Sequence, residues 1–218
     1  GATVQNLKNL ILETLSMVPS ADNTQPWKIA WTETPTKQYA EILHDGAVAL
    51  HSLNSKGMAS LFSLGFVIES LALAATQLGF KTQVVLRKSQ WQNLEEKSIL
   101  PVAQLIFTPS LEQTSQEDKE LFEQIKNRHT HRGLYNKEFL NSSVLQSLNE
   151  QDSSNGQSRI HYMRPEQDAI LTYISQGESL LWKETKLVSE IAKWVRFTQK
   201  EVEAHNTGLN GAGLGFSK

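Results

Sequence analysis

The chain has 218 residues, of which 39% are hydrophobic and 20% charged, with a formal net charge of −2. That length supports a real core in one large domain or two small ones, and the balance excludes global disorder. The charge gives no general attraction to nucleic acid or anionic lipid. The absence of cysteine excludes disulfides, thiolate catalysis and Cys-based zinc or iron–sulfur sites.

Leu7, Leu10, Ile11 and Leu15 recur at helical spacing and predict a helix over about 3–17. Pro19 stops it, and strands are expected at about 27–32 and 39–44, paired as a hairpin. Residues 57–79 predict a long helix with apolar groups nearly all round, closed by Gly79 as a C-terminal cap. Its serines, Glu69, Thr76 and Gln77 argue for a buried soluble helix rather than a spanning one. Strands follow at 82–86 and 102–107, then a polar connector at 108–119. A charged helix is expected at about 116–127 and a short one around 142–150. A loop at 152–158, a strand at 159–163 and helices at about 166–183 and 185–204 complete the pattern. The tail from Thr207 is glycine-rich and reads as flexible. The fold class is α+β, with an antiparallel or mixed sheet around a long central helix all but encased in other elements. No basic-then-apolar leader opens the sequence, so a cytoplasmic protein is expected.

Two stretches carry chemistry. The first is Pro19-Ser20-Ala21-Asp22-Asn23-Thr24-Gln25-Pro26-Trp27. Pro26 biases Gln25 toward extended geometry, and short polar side chains on a stiff backbone can present groups to a flat polar ligand. The bland alternative is a helix stop plus an Asx turn. The second is Arg128-His129-Thr130-His131-Arg132. If helical, it sets two guanidinium groups on one face with a hydroxyl between them, an arrangement suited to a phosphate monoester. Its bland alternative is a solvated basic patch. His129 and His131 are too few for a metal site without a third ligand. The run Gly211-x-Gly213-x-Gly215 neither follows a clear strand nor opens a helix, so it fails as a dinucleotide loop.

The first stretch resembles the Pro-Ser-x-x-Asn-x-Gln-Pro-Trp signature of the nitroreductase family, and every residue of that pattern is present. The second is similar to the family's Arg-Arg-Ser-x-Arg element: Arg128, Thr130 and Arg132 match, while His129 replaces the second arginine. Gly65, Glu69, Leu73, Ala74, Ala75 and Gly79 match a third element, the central helix. The resemblance implies a nitroreductase-like fold and an FMN-dependent oxidoreductase. It would pass hydride from NAD(P)H through the flavin to a nitro or quinone-type acceptor. It further implies that Pro19, Ser20, Ala21 and Asn23 line the flavin ring and that Arg128, His129, Thr130 and Arg132 hold its phosphate. Gln25 is expected to orient the loop. No catalytic side chain and no metal are expected.

None of the 18 residues before Pro19 is arginine, and the arginine element comes about a hundred residues later. That order resembles the duplicated, Acg-type branch of the family, in which two halves are fused around one composite site. On this reading 1–108 is most of a first half and 120–218 the start of a second, incomplete half. The missing part is then truncated or supplied by another subunit, and a homodimer is expected, with a small-molecule acceptor and no nucleic acid or membrane partner. Two alternatives stay open: a protein that holds FMN with little or no reductase activity, and an interaction module that has lost flavin.

Overall fold

Alternating apolar side chains build a four-stranded antiparallel sheet from Trp27–Glu33, Gln38–Asp45, Ile99–Pro109 and Phe80–Leu86, side by side in that order. The computed structural model describes residues 4–49, 52–136, 138–150 and 169–215. The strand expected at 159–163 and the loop at 152–158 lie outside the described residues. By packing, the chain divides into two units, 1–131 with 190–218 and 132–189.

In the first unit, α1 (Val4–Leu15) buries Leu7, Ile11 and Thr14 on one face. Strand β1 (Trp27–Glu33) pairs with β2 (Gln38–Asp45) as the expected hairpin, with Trp27 opposite His44. Along β2, Gln38, Ala40, Ile42 and His44 point into the core while Tyr39, Glu41 and Leu43 are half-buried on the other face. A short helix α2 (Gly46–Ala49) leads to α3 (Met58–Gln77), then β3 (Phe80–Leu86) and β4 (Ile99–Pro109). Helix α3 lays Leu64, Val67, Leu71, Ala74 and Ala75 on the sheet, where Ala103, Leu105 and Phe107 are also fully buried. Each such Leu or Phe stabilises the fold by about 1.5–3 kcal/mol through burial. Gly79, at φ +75, terminates α3 in the left-handed conformation that favours glycine, as the sequence implied.

The central strand carries one irregularity. Ile42 faces Ala103 but Leu43 faces Pro101, so Val102 is an extra residue in β4. Its carbonyl accepts from the backbone N–H of Arg87 at 2.9 Å and the Trp91 indole at 3.2 Å, anchoring the turn at Lys88–Asn93.

Helix α4 (Gln116–Asn127) starts where Ser115 accepts a hydrogen bond from Asp118 N–H, and it buries Phe122. After α7 (Thr185–Ala192) the chain forms β5 (Val195–Arg196), α8 (Gln199–Ala204) and β6 (Leu209–Asn210), and β5 and β6 pair in parallel. The single helix expected over 185–204 is therefore interrupted. Thr198 and Glu201 form a reciprocal capping box that starts a new helix after the break. The glycine-rich tail is part of the structure: Gly211 is buried and Ala212–Leu214 make a turn.

The expected encasement of α3 needs correction. Residues 55–77 are long and apolar enough to cross a membrane by length and composition, with 44% of the most apolar window buried. The buried face packs on the sheet, α1 and α4. Met58, Phe62 and Phe66 on the other face are 51%, 67% and 52% exposed. Between them, a Cβ added at Gly65 would meet nothing within 4 Å.

The second unit contains α5 (Ser142–Glu150), α6 (Ile170–Lys183) and the start of α7. Helix α6 buries none of its side chains, and Leu171, Tyr173, Ile174, Leu180 and Trp182 are exposed.

Candidate functional site

Pro19 leaves α1 without a next donor, and the chain enters a single 3-10 turn at Ala21–Asn23. Three non-glycine residues here are left-handed: Asp22 at φ 50, Asn23 at φ 52 and Gln25 at φ 52. Such backbone costs on the order of 1–3 kcal/mol per residue unless its surroundings enforce it, with Asn and Asp the cheapest to place there. The enforcement is local. Ser20 Oγ accepts the Gln25 N–H at 2.9 Å, the Ser20 carbonyl accepts the Asn23 N–H, and the Gln25 carbonyl accepts the Trp27 N–H across Pro26. Gln25 is thus turned, not extended as its position before proline implied, because these three bonds outweigh the local steric preference.

The loop stands on a buried polar base. Thr24, Pro26 and Trp27 are buried, and a void of about 10 Å³ separates Ala21, Thr24 and Pro26 from Asn54, Ser60 and Ser63. Asn54 Nδ2 donates to the Ala49 carbonyl at 3.0 Å and to Ser60 Oγ at 2.9 Å, while Asn54 Oδ1 accepts the Ser60 N–H. Ser60 Oγ in turn lies 2.9 Å from His44 Nε2. Burial holds the His44 imidazole below its usual value, and neighbouring Asp45 opposes the shift. The Lys28 ammonium, 2.8 Å away, holds the Asp45 carboxyl below the usual carboxylate range. His44 Nδ1 has no hydrogen-bond partner among the described residues.

The tail closes over the loop. Asn23 Nδ2 donates to the Gly208 carbonyl at 3.0 Å, and the Gly208 N–H donates to the Asn23 carbonyl at 3.0 Å. Gln25 Nε2 donates to the Asn206 carbonyl at 2.6 Å and lies 3.3 Å from Asn23 Oδ1. The Gln25 side chain thus ties the loop to the tail. The sequence did not point to Asn206 or Gly208, since contacts spanning some 180 residues leave no local signal.

The basic segment is different. Arg128 ends α4 in extended geometry, and the helical face expected for Arg128–Arg132 does not form, because the chain leaves the helix at that point. Arg128, His129, Thr130, His131 and Arg132 are all exposed. His129 Nδ1 lies 3.4 Å from the Asn127 carbonyl. The side chains of Arg128, Thr130 and Arg132 make no hydrogen bond or ion pair among the described residues. Arg128, His129 and Thr130 belong to the first unit and Arg132 to the second. Pro19, Ser20, Ala21 and Asn23 all sit in the first unit's loop. Among the described residues, no group of three His, Asp or Glu side chains could hold a metal ion.

No family model matches the chain, and no curated protein matches it. Several solved structures are similar in fold. A nitroreductase family protein from Streptococcus pneumoniae TIGR4 is 15% identical over 52% of this chain and 83% of its own, with a TM-score of 0.39. A nitroreductase family protein from Clostridium difficile 630 is 14% identical over 63% and 88%, with a TM-score of 0.41. NfrA2 of B. megaterium is 12% identical over 96% and 92%, with a TM-score of 0.42. Superpositions this loose leave family and chemistry to be argued from the residues themselves.

Proposed function

We propose that the chain is an FMN-dependent, nitroreductase-like oxidoreductase. The observation that carries this reading is the braced loop at residues 19–27. A plain helix-to-strand connection has no need for three left-handed non-glycine residues; a surface that must keep polar groups at fixed positions does. The donor chemistry suits the cofactor at both ends. Ser20 and Asn23 would hydrogen-bond the polar edge of the flavin ring, and Pro19 and Ala21 would line it through their backbone. Arg128, Thr130 and Arg132, with side chains not engaged elsewhere among the described residues, would hold the phosphate, with His129 beside them. Bound there, the flavin would supply the redox chemistry for hydride transfer between NAD(P)H and a nitro or quinone-type acceptor. The loop's own part is orientation, and it needs no side-chain acid or base for that.

The test is an FMN titration followed by flavin absorbance, then anaerobic NAD(P)H. Tight FMN binding with bleaching on NAD(P)H is the expected result. Arg132→Ala should weaken FMN binding by about 10-fold or more while circular dichroism stays unchanged, the loss of one charged hydrogen bond. Unaltered affinity would remove Arg132 from the site, and no FMN binding by the parent protein would end the reading. A second reading is that FMN is held without turnover. Yellow protein that keeps its colour under NAD(P)H would select it.

A further inference from the structure

We infer that Asn206–Gly208 is a removable strap that competes with ligand for the side-chain amides of Asn23 and Gln25, so that the loop accepts a flavin ring edge only when the strap lifts. This rests on the flavin reading. Both amides donate to strap carbonyls, Asn23 to Gly208 and Gln25 to Asn206. The flavin reading gives the first of these, Asn23, to the ring edge, and the Gln25 amide lies beside it, 3.3 Å from Asn23 Oδ1. The strap therefore occupies the site's hydrogen-bonding capacity with the protein's own backbone.

The loop does not depend on the strap for its shape. Ser20 Oγ still receives the Gln25 N–H, and the Ser20 and Ala21 carbonyls still receive the N–H groups of Asn23 and Thr24. Lifting the strap would free two amides and leave the loop's internal brace in place. That separates a latch from a scaffold.

The strap is also lightly held. Its ordered neighbour is a parallel bridge of two residues on each side, with Leu209 N–H on the Trp194 carbonyl at 2.6 Å and Gly211 N–H on the Arg196 carbonyl at 2.8 Å. Two-stranded pairing of this length is marginal on its own. Beside its bonds to Asn23 and Gln25, the strap is held by Arg196, whose Nε donates to the Thr207 carbonyl at 3.1 Å and whose Nη1 donates to the Lys193 carbonyl at 2.7 Å. Gly208 is required for the seat. At φ +90, an added Cβ would meet the Trp194 carbonyl oxygen at 2.5 Å and the Arg196 guanidinium carbon at 2.9 Å. Arg196 and Gly208 are thus the parts of the hold that lie outside the loop and can be altered without touching its amides.

The experiment uses the full chain as wild type, Arg196→Ala and Gly208→Val, with circular dichroism to confirm folding. Hydrogen exchange reads peptides covering 20–27 and 205–211, and FMN is titrated by fluorescence. Both variants should speed exchange in 205–211 and raise FMN affinity at least five-fold. Adding Asn23→Ala to Arg196→Ala should cancel that gain. Faster exchange with unchanged or weaker FMN binding overturns the strap and makes the segment a wall of the site. Folded variants with no faster exchange overturn it too, since Arg196 and Gly208 would not be its hold. If no form binds FMN, the flavin reading itself fails, and the competition falls with it.

Discussion

The loop at 19–27 and the segment at 128–132 both present polar side chains, yet they are built in opposite ways. The loop keeps short side chains on a strained backbone, half-buried and bonded to itself and to the tail. The basic segment leaves its helix in extended geometry at Arg128 and carries exposed side chains outside any helix or strand. In the flavin reading this is a division of labour. A flat ring needs donors at fixed points, which short side chains on a braced turn supply. A phosphate needs charge with reach, which arginine supplies from an exposed segment.

Four measurements can sharpen or break that contrast. The largest effect should come from the loop's base. Asn54→Ala strips the Ala49 carbonyl and the Ser60 N–H of their buried partner, and should cost about 3 kcal/mol in urea denaturation. Next, Ser20→Ala removes the acceptor of the Gln25 N–H and should cost about 1–2 kcal/mol.

Acid should add a gentler decline. The His44 imidazole is held below its usual value, so the unfolded chain binds more protons once pH falls below about 6.5. Stability is therefore full above that pH and is lost as pH drops. Asp45, held down by Lys28, adds a second loss below about 4. His44→Gln should flatten the upper limb of urea midpoints measured from pH 8 to pH 4; an unchanged slope would assign that limb to other groups. The smallest effect is expected at Thr130→Ala, below about 0.5 kcal/mol. A cost above about 1 kcal/mol there would mean that the basic segment is braced after all, and the contrast would dissolve.

Much of the first unit was legible because its signals are local. Pro19 and Gly79 mark helix ends, the β1–β2 hairpin follows from alternation, and α4 begins where the charged helix was expected. What escaped depends on distance. The insertion of β4 between β2 and β3 is a sheet-level choice. The open face of α3 defied a sequence apolar all round, because composition does not say how many sides the rest of the chain can cover. One miss was readable. Thr198-x-x-Glu201 is a helix-start signature, and it divides what periodicity alone ran together as 185–204. At the candidate site, the loop was visible as a motif, but its left-handed turn at Gln25 and its cover by Gly208 were not. The first comes from the Ser20 hydroxyl on the Gln25 N–H and the second from bonds to Asn23 across some 180 residues, neither of which residue propensity describes.

Val102, the extra residue in β4, limits how this sheet can change over time. A bulge sets two residues against one, here the buried Val102 and Ala103 against Ile42, so deleting Val102 would leave Ile99 to Pro101 facing Leu43, His44 and Asp45 in an unbroken ladder. The same edit would withdraw the carbonyl shared by Arg87 and Trp91. The deletion should therefore spare the register and cost the anchor of the turn at Lys88–Asn93, two outcomes that hydrogen exchange in the strand and in the turn can read separately.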